Sequence, residues 1–223
     1  MAGTVEHLAI AWELSKRWTL EHPEFFIVGN VCPDGIQARE NYQREMKMHT
    51  HFRDGIPDYQ FSQPEHLELF HHRILEFSKE MLGDALLNRE LYLGYITHIL
   101  ADEIFMLTIR PEFMKKIASI GLTDRDMETF QYFTYDVNQI DFRLAKEYPG
   151  MDQVYQILKT VKPYEIKGML TMEELTRSRE WILAFFFEQA PEPQKPVYYT
   201  YERAFEFIAE AVDIIEYRIQ EYI

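Results

Sequence analysis

The chain has 223 residues, enough for one sizeable domain with a substantial core. Its 23 basic side chains against 37 acidic ones leave a net charge of −14, which argues against binding duplex nucleic acid through a basic surface. Glycine is scarce, with 9 residues, which disfavours a loop-rich β fold, and the lone Cys32 excludes an intramolecular disulfide.

The sequence opens without a basic and apolar leader, and no apolar run reaches the ~20 residues that span a bilayer, so a cytoplasmic protein is expected. Thr4–Arg17 reads as a first helix, with Leu8, Ala11 and Leu14 in an apolar stripe beside His7. Pro23 opens a short helical turn, and Gly29-Asn30-Val31-Cys32-Pro33-Asp34-Gly35 has loop chemistry. Residues 36–62 show little periodicity and read as an irregular excursion with weak helix. Pro64 suits the first turn of a helix running to Gly83, with Leu67, Phe70, Ile74 and Phe77 inward. Asn88 caps the next helix, which Pro111 should stop at about Arg110. A shorter helix over 112–119 ends near Gly121. Thr123-Asp124-Arg125-Asp126 has the form of a capping box for a long helix ending before Pro149-Gly150. Residues 151–160 form another helix, closed by Lys162-Pro163. Thr171-Met172-Glu173-Glu174 is a second box, for a helix through Gln189 that includes the apolar run from Trp181 to Phe187. The proline-rich stretch 191–196 is a stiff connector. Thr200 then starts the last helix, with Phe205, Ile208, Val212, Ile215 and Ile219 at helical spacing. No strand pair alternates with period two. The expectation is an all-α, multi-helix bundle in a single domain, 1–223.

The most informative stretch is Gly94-Tyr95-Ile96-Thr97-His98-Ile99-Leu100-Ala101-Asp102-Glu103. His98 and Asp102 stand four residues apart in an apolar run and so share one helix face. If that face is buried, both need a partner. A divalent ion satisfies imidazole and carboxylate together, and an internal ion pair is the alternative. Glu103 is a rival for the inward carboxylate, but the helical phase favours Asp102. Elsewhere, His7 on the apolar side of its helix is either a core histidine bonded to a carbonyl or a ligand. Asp34 after Pro33 in a Gly-rich turn suits an N-cap or Asx turn more often than a ligand. His49 and His51 alternate, so at most one of them points inward unless the segment is helical, with Phe52 anchoring the segment. His22 in its turn, and His66, His71 and His72 among charged neighbours, read as solvated. Cys32 packs into the loop.

Taken in chain order, Thr4-Val5-Glu6-His7-Leu8, Phe26 through Asp34, His51-Phe52 and Gly94 through Asp102 resemble the zinc-dependent phospholipase C family. That family shares an all-α fold with fungal single-strand zinc nucleases, and the matching pieces cover about the first half of the chain. The resemblance implies that Asp34, His51, His98 and Asp102 hold one metal ion. It further implies that His7 holds a second, with Asp102 bridging. Zinc is the implied metal, as one or two ions; manganese or iron also suits His and Asp ligands. The sequence departs from the pattern in lacking an amino-terminal tryptophan and in having no histidine after His98. Asp136, Asn138 and Asp141 are therefore either substitute oxygen ligands or a polar face. The implied activity is metal-dependent hydrolysis of a phosphoester, foremost a phosphodiester, by a metal-activated water. The substrate would be a small phosphoester or a lipid head group. Asp34 would be the catalytic carboxylate that takes the proton, and Lys47, Arg44 or Arg53 would neutralise phosphate charge. Two alternatives stand beside it. An HD-type nucleotide phosphohydrolase is disfavoured by the absence of a His-Asp dipeptide. A non-catalytic helical metal-binding or interaction protein is favoured by the loss of the later histidines.

Overall fold

In the computed structural model, residues 1–83, 88–162 and 164–223 are described, and their regular structure is helical apart from an isolated bridge between Ile166 and Leu170. In chain order the helices are α1 (Thr4–Arg17), α2 (Pro23–Gly29), α3 (Arg44–Thr50), α4 (Pro64–Leu82), α5 (Arg89–Leu107), α6 (Ile109–Ser119), α7 (Met127–Glu147), α8 (Met151–Thr160), α9 (Met172–Ile182) and α10 (Tyr201–Arg218). Short 3-10 turns occupy Pro33–Ala38, Asp58–Gln60 and Ile219–Glu221. The all-α expectation holds, and no helix among the described residues is long and apolar enough to cross a membrane.

Helix α5 is the axis of the bundle. It is apolar on every side and buried from Leu91 to Met106, as befits a helix surrounded by others. It packs on α2 above all, and also on α1, α4, α6 and α10. Gly29 and Gly94 make the α2–α5 approach possible: a Cβ on Gly94 would collide with the Phe26 carbonyl, and one on Gly29 with that of Leu91. This close crossing brings the end of α2 against the middle of α5, where His98 lies.

Several boundaries differ from the sequence expectation for identifiable reasons. Pro111 does not stop a helix; it sits in the first turn of α6, where a missing N–H costs nothing. The break comes earlier, at Thr108, whose hydroxyl donates back to the Ile104 carbonyl at 2.7 Å. Thr123 and Asp126 do bond each other, with Thr123 N and Oγ1 donating to Asp126 Oδ2 at 2.6 and 2.8 Å. They close a turn, however, and Asp126 rather than Thr123 precedes the helix. The box at Thr171 and Glu174 forms as expected. The helix it starts loosens into a π turn over Leu183–Glu188, and Trp181 is about half exposed. On α10, Ile208, Val212, Ile215 and Ile219 are buried, but Phe205 is 37% exposed and Ala204 and Phe207 fill the core instead. On α4, Phe70, Ile74 and Phe77 are buried and Leu67 partly so. Pro163, expected to close α8, lies outside the described residues. The connector is tied to α7 through Lys146 to Glu192 at 2.8 Å and Gln194 N to Gln139 Oε1 at 2.7 Å.

Candidate metal centre

Four segments deliver the candidate residues. His98 and Asp102 come from α5, His7 from α1, Asp34 from the 3-10 turn after α2, and His51 from the residue that ends α3. The tight α2–α5 crossing sets the Asn30 carbonyl 2.7 Å from His98 Nδ1. His51 Nδ1 lies 2.9 Å from the Lys47 carbonyl. A carbonyl only accepts, so Nδ1 carries the proton in both rings and each Nε2 keeps its lone pair.

Those two Nε2 atoms stand 3.3 Å apart. Asp102 Oδ2 is 3.5 Å from His51 Nε2 and 3.8 Å from His98 Nε2, and Asp34 Oδ1 is 3.4 Å from His51 Nε2. On the other side, His7 stacks on His98 with ring centroids 3.7 Å apart. Its Nε2 is 3.2 Å from Asp102 Oδ1, which also accepts from Ala2 N at 2.9 Å. Both ring nitrogens of His7, Asp34 Oδ1 and Asp102 Oδ2 are buried without an aligned hydrogen bond. Two overlapping groups, His7 with His98 and Asp102, and Asp34 with His51 and His98, are spaced so that each can hold a metal ion. All five sequence candidates therefore converge. The open choice between His49 and His51 falls to His51: it is 2% exposed, whereas His49 is outside and pairs with Asp54 at 2.8 Å.

The corner that carries His51 is firmly fixed. Tyr95 OH donates to the Thr50 carbonyl at 2.5 Å, and Thr50 Oγ1 donates to the Pro33 carbonyl at 2.9 Å, linking α5, α3 and the Asp34 turn. Phe52 adopts a left-handed backbone, φ 56°, a conformation an aromatic residue holds only where its surroundings insist on it. Its ring is buried beside Phe77 and Tyr95.

The electrostatics follow from burial and contact. Burial, with the nearby charge of His7, pushes His98 well below the usual imidazole range. Burial also lowers His51, and its contact with Asp34 only partly offsets this. Burial alone would raise Asp102, but the adjoining His7 and His98 outweigh it and hold the carboxyl far below its ordinary value. Asp34 behaves likewise: the Lys47 ammonium, 2.5 Å from Oδ1, outweighs burial and keeps it ionised.

Other polar residues resolve differently. Glu103 is as buried as Asp102 but faces away from the cluster, bonding His71 Nε2 at 2.8 Å and Arg218 at 2.9 Å. His71 is thus partnered although its side chain is 34% exposed, whereas His22 and His72 are exposed. Asp136 and Asp141 are neither ligands nor a solvated face. Asp136 accepts from the amides of Val197, Tyr198 and Tyr199 at 2.6, 2.7 and 2.8 Å. Asp141 caps α1 through the amides of Val5 and Glu6 at 3.0 and 3.1 Å. Asn138 is half-buried on α7. Cys32 is buried in its loop with Sγ 3.3 Å from the Val28 carbonyl. The sequence reading missed the supporting groups, Asn30, Thr50 and Tyr95. The paired glycines at 29 and 94 were the available signal for the crossing that brings Asn30 to His98. No family model, curated protein or solved structure matches this chain.

Proposed function

We propose that this protein is a metal-dependent hydrolase of phosphoesters, with the His/Asp cluster as its centre. The observation behind this reading is the 3.3 Å approach of two Nε2 atoms whose rings both spend their Nδ1 protons on carbonyls. Two neutral imidazoles in that state aim lone pairs at each other, flanked by the oxygens of Asp34 and Asp102. Lys47 offsets Asp34, but the two facing Nε2 lone pairs and Asp102 Oδ2 have no donor among them, and that set of acceptors fits a divalent ion. Asp34, His51, His98 and Asp102 would hold one ion, and His7 with the other oxygen of Asp102 a second. Nitrogen and oxygen donors without thiolate suit zinc, and also manganese or iron.

The reading agrees with the likeness of the first half of the sequence to the zinc-dependent phospholipase C family, minus that family's later ligands. A bound divalent ion would stabilise phosphoryl charge and bring the pKa of a water toward ~7. The chain's own groups supply the rest. The Asn30 and Lys47 carbonyls fix the tautomers of His98 and His51. Ionised Asp34 accepts a hydrogen bond from the attacking water and orients it; its lowered pKa suits it to positioning more than to storing a proton. Lys47, held against Asp34 at 2.5 Å, keeps that carboxylate ionised. The substrate is a small phosphoester or a lipid head group.

A second reading also has support: His51, His98 and Asp102 are 2%, 1% and 5% exposed, a setting that suits an ion tying helices together without turnover. Metal analysis of protein purified without chelator or metal affinity should find about two equivalents, as in two-metal sites, and none would sink both readings. His98→Ala and Asp102→Ala should each lose the metal. Chelator-sensitive turnover of bis-p-nitrophenyl phosphate or p-nitrophenyl phosphate supports the hydrolase. Bound metal with neither ester cleaved supports the structural ion.

A further inference from the structure

Beside the centre lies a cavity with room for about one water molecule. His51 and Asp102 form part of its wall, and Arg53 forms another part. The Arg53 side chain is 6% exposed. Its Nη2 donates to Asp58 Oδ1 at 2.5 Å, and its guanidinium lies 4.7 Å from the centre of the Phe61 ring. Its Nε is buried with no hydrogen-bond partner. A guanidinium offers five N–H donors in a rigid fork suited to tetrahedral oxyanions, and a buried donor left unused is costly.

Of the charged groups nearby, Asp102 belongs to the centre and would face the oxyanion through the ion proposed there, and the others are already committed. Lys47 is held by Asp34 at 2.5 Å. Glu103 also lines the cavity, but its two oxygens are taken by His71 and Arg218, so its charge is offset. Phe61 and Met106, which line the cavity, also line an open groove of about 350 Å³ whose charged lining is Arg110 with Asp58 and Asp124. The water-sized cavity therefore adjoins a space large enough for the remainder of a bound molecule.

We propose that Arg53 and this cavity form an anion subsite of the centre. One non-bridging oxygen of a tetrahedral oxyanion, inorganic phosphate or the phosphoryl group of an ester, sits between the Arg53 guanidinium and the wall formed by His51 and Asp102. The rest of the molecule extends past Phe61 and Met106 into the groove. The metal side of this arrangement rests on the function proposed above; the Arg53 side does not.

The test is calorimetric titration of inorganic phosphate into protein of measured metal content, before and after chelation. Wild type should bind phosphate, and Arg53→Met should bind it at least about tenfold more weakly with its metal content unchanged, the loss expected for a charge-assisted hydrogen bond. Because Arg53→Met can also disturb folding, Asp58→Asn provides a variant with the opposite expectation. It releases part of the guanidinium fork and should tighten phosphate binding about threefold or more, a gain that a purely structural Arg53–Asp58 pair would not give. Arg44 also pairs with Asp58 but is 75% exposed, and Arg44→Met should change the affinity less than about twofold. Equal affinity in wild type and Arg53→Met, weaker binding in Asp58→Asn, or no phosphate binding by wild type each overturns the subsite. If wild type holds no metal, the hydrolase reading falls, and Arg53-dependent phosphate binding by the metal-free protein still upholds the subsite.

Discussion

Glu6 and His7 are neighbours on α1, both fully buried, and they meet opposite fates. Glu6 accepts from Gly3 N at 2.6 Å and from Tyr199 OH at 2.5 Å, and the adjoining Asp141 takes the amides of Val5 and Glu6. Every one of those acceptors finds a donor within the chain. His7, one residue on, stacks on His98 with neither ring nitrogen in an aligned hydrogen bond, and the oxygens and nitrogens it faces are acceptors too. Buried polarity that the fold satisfies holds helices and straps in place. The buried nitrogens and oxygens left without a partner around His7 are spaced so that they could hold a metal ion. The difference lies in the partners, since the depth of burial is the same.

The largest expected effect separates the two regions by what each loses. Asp136→Ala strips three amides of their carboxylate and should destabilise the protein by about 3–4 kcal/mol in urea unfolding, leaving metal content unchanged. Asp102→Ala should do the reverse: it loses metal, yet after chelation it falls below chelated wild type by much less than Asp136→Ala does, because a single amide, that of Ala2, loses its acceptor. Metal loss in Asp136→Ala would break the comparison.

A smaller effect comes from the satisfied cluster itself. Burial, followed by the charge of nearby Glu6, raises the Asp141 carboxyl well above its ordinary value, and burial raises Glu6 as well. The folded protein therefore binds protons that the unfolded chain, with carboxyls near ~4, has released. Stability from this pair is fully present below about pH 4 and is lost as pH rises through the raised folded values. Each unit of elevation corresponds to about 1.4 kcal/mol. Asp141→Asn keeps an oxygen for the Val5 and Glu6 amides and should flatten that decline in chemical unfolding at pH 5, 7 and 9. An unchanged slope would show that Asp141 is ionised when folded.

Much of the centre was legible because its residues lie where short-range rules apply. His98 and Asp102 share a face by helical spacing, and α1, α4 and the Thr171 box were readable from apolar periodicity and capping chemistry. What could not be read was long-range. Nothing local distinguishes Asp136, which serves amides sixty-odd residues away, from an exposed polar face. Glu103 looked like a rival to Asp102, but its partners, His71 and Arg218, sit on two other helices. The helix break at Thr108 is set by a side-chain bond that composition does not announce, and Pro111 drew attention to the wrong residue.

The smallest effect addresses the one ambiguity the sequence left within the centre. His49 and His51 are two residues apart at the end of α3, so their rings cannot both face inward in regular structure. The corner decides between them: Tyr95 holds the Thr50 carbonyl, Thr50 holds Pro33, and the left-handed Phe52 turns the chain immediately after His51. His49 is left 58% exposed in a screened pair with Asp54. His49→Ala should therefore shift stability by less than about 0.5 kcal/mol and keep its full metal content, while His51→Ala loses metal. Metal loss from His49→Ala would mean that the corner turns the other way when an ion is bound, and that Tyr95 and Thr50 do not fix it.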